Sequence, residues 1–136
     1  MKFKTITGRI KSIRNAKKYR IDWEGESKSN IQKAVKLFLK KYWEKHIVFE
    51  EFPVAGTRLS LDFYNANKKI AIEVQGAQHT KHVPFFHGKN KYNFVNQLRR
   101  DQEKLNYCEI NEIILIEVYD EKELNPCYFK NNGVIL

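Results

Sequence analysis

"RLSLDFYNANKKIAIEVQG", residues 58–76, reads as two β-strands joined by a short polar turn. Side chains alternate along a strand, so Leu59, Leu61 and Phe63 share one face while Ser60, Asp62 and Tyr64 share the other. In the second strand Ile70, Ile72 and Val74 point one way, and Ala71, Glu73 and Gln75 the other. A two-residue turn at Asn67 and Lys68 sets Asp62 opposite Glu73; a longer turn with an even number of residues moves the register without mixing the faces. Like charges across a strand pair cost on the order of 0.2 to 1 kcal/mol. A divalent cation removes the conflict, because Mg²⁺ takes hard oxygen ligands, commonly one or two carboxylates with waters and substrate phosphate oxygens. The same ion makes a bound water more acidic and offsets charge during phosphodiester hydrolysis. The competing assignment is an edge hairpin whose two acids face water beside Arg58 or Lys69.

Outward from this hairpin, the pattern is that of an α/β chain. Ser27 or Ser29 caps a helix running to about Trp43, in which Ile31, Val35, Phe38 and Tyr42 recur at helical spacing. Lys33, Lys36, Lys40 and Lys41 coat much of the rest of that helix. "HIVFEEFPV" (46–54) is a strand, and "AQHTKHVPFFHGKN" (77–90), with its Pro, Gly and lack of period, is a loop. A second helix spans about 90 to 108, and "EIILIEVY" (112–119) is a strand apolar almost throughout, as expected where both faces are covered. The tail from 120 adds a short helix or wraps the surface. Residues 1–26 form a basic N-terminal arm or hairpin, and 27–136 the main unit of a single compact domain.

The 136 residues suit one core. Lys and Arg number 25 against 16 Asp and Glu, a net charge of +9, with 18 aromatics among the Phe, Tyr and Trp. That balance favours a polyanionic partner. Cys108 and Cys127 have no CxxC neighbours and read as reduced thiols, Cys108 within a core helix. No run approaches the roughly 18 apolar residues of a membrane span, and the N-terminus lacks an apolar secretory region. A cytoplasmic (intracellular) protein without membrane partners is expected.

In the helix from 90 to 108, Phe94, Leu98, Leu105 and Cys108 form one stripe with Asp101 at its centre. A core-facing carboxylate needs a partner, either a backbone amide or an arginine such as Arg58, or else it holds a site residue in place. Arg99, Arg100 and Lys104 lie off the stripe, where they can meet phosphate.

The order helix, strand, "SLDFY", turn, "IAIEVQGAQH", helix with "RRDQEKLNYC", strand "IILIEV" resembles the PD-(D/E)xK, or restriction-endonuclease-like, nuclease superfamily. It is most similar to the small branch related to very short patch repair and phage-borne endonucleases, over residues 27 to about 119. The resemblance implies a mixed β-sheet core flanked by α-helices. It further implies that Asp62 and Glu73, with the Val74 carbonyl, hold Mg²⁺ or Mn²⁺, and that His79, in the "QH" pair, contacts the scissile phosphate. Gln75 stands where the superfamily usually has lysine; a neutral amide can orient a water but cannot act as a base or carry charge. Where relatives place an acid in the first helix, "SKSNIQK" (27–33) offers Asn30 or Gln32, with Glu50 or Glu51 as substitutes.

The implied activity is metal-dependent DNA endonuclease, with Lys33, Arg58, Arg99, Arg100 and Lys104 as phosphate contacts and a homodimer needed for double-strand cleavage. The alternative is a catalytically weak nucleic-acid-binding module on the same fold. A basic protein that binds an acidic protein partner is a third, more distant reading.

Overall fold

The computed structural model describes residues 1–75 and 89–136. A mixed four-stranded sheet runs in the order β3-β4-β5-β6, with β3 Val48–Pro53, β4 Ser60–Asn65, β5 Ile70–Val74 and β6 Ile114–Val118. The first three strands are antiparallel and β6 pairs with β5 in parallel. A parallel neighbour requires a crossover, and helix α2, Lys89–Ile110, lies in that connection.

Helix α1, Asn30–Trp43, starts where the Ser29 side chain accepts a hydrogen bond from the Gln32 N–H at 3.2 Å. Lys40 and Lys41 in its last turn complement the helix dipole. Its Val35, Leu39 and Trp43 pack on one sheet face against Phe63, Ile72, Ile116 and Val118, with Phe129 of the short helix α3, Pro126–Asn131. The other face carries Phe49, Phe52, Leu61, Tyr64 and Ala71, covered by Tyr107 and Cys108 from the end of α2 and by Phe3. Phe3 belongs to a small antiparallel ribbon of β1, Lys2–Lys4, and β2, Ile10–Ser12. The N-terminal segment is thus a folded hairpin docked on the sheet. Among the described residues no helix is long and apolar enough to cross a membrane.

Four expectations need correction. The stripe on α2 does not hold: Leu98 is 53% and Leu105 38% exposed, while among the described residues of α2 the buried ones are Tyr107 and Cys108, in its last turns. Asp101 is only half-buried and accepts a hydrogen bond from Gln97 of its own helix at 2.9 Å; among the described residues neither Arg58 nor a backbone amide bonds it. Strand β6 is shorter than residues 112–119, and its Ile114 stays 41% exposed where coverage on both faces was expected. Along β4, Phe63 joins the α1 side, yet Leu61 joins Tyr64 on the opposite side. The alternation breaks beside Glu51, whose φ of 53° is left-handed, a conformation that costs a non-glycine residue on the order of 1 to 2 kcal/mol.

Candidate metal centre

The hairpin register is that expected for a turn centred on Asn67 and Lys68. Phe63 pairs with Ile72, Tyr64 with Ala71 and Asn65 with Ile70, so the next step brings Asp62 opposite Glu73. The turn itself has four residues, with Lys69 at φ 55° and the Asn65 side chain accepting from the Lys68 N–H at 3.0 Å. Beyond Phe63 the backbone ladder stops and the Asp62 carboxylate replaces it, accepting the Val74 N–H at 2.8 Å. Asp62 is therefore held against the Val74 peptide.

Glu73 is 5% exposed. Burial, followed by the charge of Asp62 and a hydrogen bond with it, pushes its carboxyl up to about 9, while Lys104 pulls in the opposite direction. Lys104 Nζ lies 2.9 Å from Glu73 Oε1 with both side chains largely buried. The ammonium pairs with that oxygen and favours the charged form of a carboxyl that burial and Asp62 otherwise keep protonated. Lys104 was expected to meet phosphate from the surface; α2 instead turns it inward onto Glu73.

Gln75 is buried at 6% exposure and its N–H donates to the Val118 carbonyl at 2.8 Å, which fixes the end of β5 to β6. Burial, aided by the charge of Glu73, pushes the neighbouring Cys108 thiol up to about 12. Cys108 consequently packs as a protonated, unreactive group.

A second polar group stands across β4. Glu51 accepts from Gln32 Nε2 at 3.2 Å and from the Ser60 hydroxyl at 3.2 Å, and pairs with Lys28 at 3.0 Å. Lys28 is raised above the ordinary lysine value chiefly by Glu51, with Asp62 and Glu50 adding to it, which marks Glu51 and Asp62 as electrostatic neighbours. Glu51 lies opposite Asp62 in the β3–β4 register, between the pairs Glu50 with Phe63 and Phe52 with Leu61. Glu50 is committed elsewhere, to the buried Lys36 at 3.0 Å. Of Glu50 and Glu51, Glu51 is the one opposite Asp62, and Gln32 of α1 is bonded to it. The left-handed turn at Glu51 brings this about, and nothing in the local pattern announces it.

Arg58, Lys33, Arg99 and Arg100 are exposed. The expected roles of His79 and of the loop around it lie outside the described residues. Among the described residues, no three His, Cys, Asp or Glu side chains converge as a metal-binding group; what converges is a carboxylate pair beside a peptide group. The pair fits a hard cation on one observation, two carboxyl groups held close together with Glu73 buried, a set of hard oxygen donors whose charges raise one another's need for a cation.

No family model matches the chain, and no solved structure matches it. It is similar to three uncharacterized viral proteins. Uncharacterized protein 307L of Invertebrate iridescent virus 6 is 45% identical over 74 residues, 54% of this chain and 36% of the relative. Uncharacterized protein 033L of Invertebrate iridescent virus 3 is 38% identical over 66 residues, covering 48% and 34%. Uncharacterized protein 094L of Frog virus 3 is 40% identical over 73 residues, covering 53% and 47%. The chain spans less than half the length of each of these relatives.

Proposed function

We propose that this chain is a metal-dependent DNA endonuclease whose centre is built on Asp62 and Glu73, on a restriction-endonuclease-like core. The observation that supports it is the closeness of those two carboxyls, which the hairpin register carries opposite each other, with Glu73 buried. Asp62 and Glu73, with the Val74 carbonyl, would hold Mg²⁺ or Mn²⁺, which supplies a more acidic water and charge compensation at phosphorus. Asp62 is oriented by the Val74 N–H. Gln75 orients water through its amide, and Lys104 brings to Glu73 the positive charge that Gln75 lacks. Glu51, set by Gln32, Ser60 and Lys28, bounds the site on the α1 side.

The test is cleavage of supercoiled plasmid and of branched DNA with Mg²⁺, Mn²⁺ or chelator, comparing wild type with Asp62→Asn and Glu73→Gln. Metal-dependent cutting lost in both variants supports the reading. The second reading, a binding module without robust catalysis, is favoured by the neutral Gln75 and by a Glu73 that retains its proton. Mobility shifts without cutting under every condition would establish it.

A further inference from the structure

We propose that residues 1–20 form a preassembled cationic ribbon that grips the sugar-phosphate backbone of duplex DNA beside the carboxylate pair. The choice of DNA over another polyanion rests on the nuclease reading; the anion binding does not.

The charge of the chain is concentrated there. The first 20 residues hold eight Lys and Arg and no Asp or Glu, so they account for eight of the nine net positive charges. All eight are exposed, and among the described residues none of them forms an ion pair. Elsewhere in the chain the two signs nearly cancel.

This segment is fixed in place from its inner side. Phe3 is buried among Phe52, Tyr64 and Tyr107, with ring centroids 5.9 to 6.0 Å apart. Asn111 bonds the Lys4 backbone twice, accepting from its N–H and donating to its carbonyl, each at 2.9 Å. At the other end the Ile21 N–H donates to the Val48 carbonyl at 3.0 Å. An element whose inner face is locked and whose outer face carries one sign of charge repels itself when free. A polyanion relieves that repulsion and meets cations whose backbone is already ordered.

The ribbon and the carboxylate pair also share a sheet face. Lys104, on Glu73, and Asn111, on Lys4, are seven residues apart along α2 and its end, about 10 Å at the helical rise. That corresponds to about three steps along one DNA strand. The ribbon carries no exposed aromatic on which bases could stack, since Phe3 is buried and Tyr19 is half-buried with its ring edge-on to Phe52. Cations without stacking platforms suit a duplex backbone better than single strands.

The test is fluorescence anisotropy with a 30-base-pair duplex in chelator-containing buffer across a salt series. Wild type is compared with Arg9, Lys11, Arg14 and Lys17 all changed to Gln, and with Lys41, Lys45, Lys122 and Lys130 all changed to Gln as an equal loss of charge elsewhere. Circular dichroism melts check folding. We expect the slope of log affinity against log salt to flatten by about 3 to 4 in the ribbon variant, at about 0.9 per cation, and by under 1 in the control variant. Equal flattening in both variants would overturn the proposal, as would single-stranded DNA of equal length binding wild type as tightly as duplex. Wild type that cuts plasmid while the ribbon variant keeps its slope defeats the ribbon and leaves the nuclease standing; ribbon-dependent duplex binding without any cutting does the reverse.

Discussion

Lys104 Nζ sits 2.9 Å from Glu73 Oε1, joining the middle of the long helix α2 to the end of strand β5. The ammonium faces a carboxyl that burial and Asp62 hold protonated well above the usual carboxylate range. A buried ammonium and a buried carboxyl beside a second acid form an arrangement whose charge state depends on pH and on any bound cation.

That dependence has a definite sign. The folded-state value of Glu73, about 9, lies above its unfolded value of 4.5, so the folded protein holds the proton more tightly. The resulting stability is fully present below about pH 4.5 and is lost as pH rises through about 9. In chelator, urea-derived stability should fall from pH 6 to pH 9 for wild type and fall markedly less for Glu73→Gln. Identical slopes would show that Glu73 titrates normally.

Asp62 serves both structure and site, and two substitutions separate these roles. Asp62→Ala leaves the Val74 N–H without its acceptor, at an expected cost of about 1 to 3 kcal/mol. Asp62→Asn retains an oxygen acceptor and should unfold within about 1 kcal/mol of wild type in a urea titration, yet lose Mg²⁺-dependent stabilisation. Retained stabilisation by Mg²⁺ would remove Asp62 from the metal set.

Phe3 is the apolar anchor of the ribbon. Phe3→Ala should cost about 3 kcal/mol in urea denaturation, and hydrogen exchange should accelerate at residues 2–12 while α1 stays protected. Uniform acceleration would mean that the ribbon and the sheet unfold as one unit.

Gly56 tests how closely the ribbon turn approaches the β3–β4 turn. It has φ +83°, and an added Cβ would lie 2.8 Å from Thr5 Cγ2. Gly56→Ala is expected to destabilise by more than about 1 kcal/mol. Adding Thr5→Ser, which deletes that methyl but keeps the hydroxyl, should restore part of the loss in a double-mutant cycle. A purely additive result would place the whole cost in the backbone conformation.

The sequence by itself determined what is local. It offered Ser27 or Ser29 as the cap of α1, of which the structure uses Ser29 on the Gln32 N–H, and a turn centred on Asn67 and Lys68 whose period of two carries Asp62 opposite Glu73. The concentration of cations before Asp22 was equally plain. What only the tertiary structure decided depends on contacts between distant residues. The Asp101 stripe misled because helical period marks a possible face but not which turns of a 22-residue helix meet the core, and α2 uses its last turns. The inward turn of Lys104, the placement of Glu51 opposite Asp62 and the docking of Phe3 leave no periodic trace. Each arises from crossover geometry, from one left-handed residue in β3 or from ring packing across more than 40 positions of chain. Local spacing specified which residues could meet; long-range packing selected which of them do.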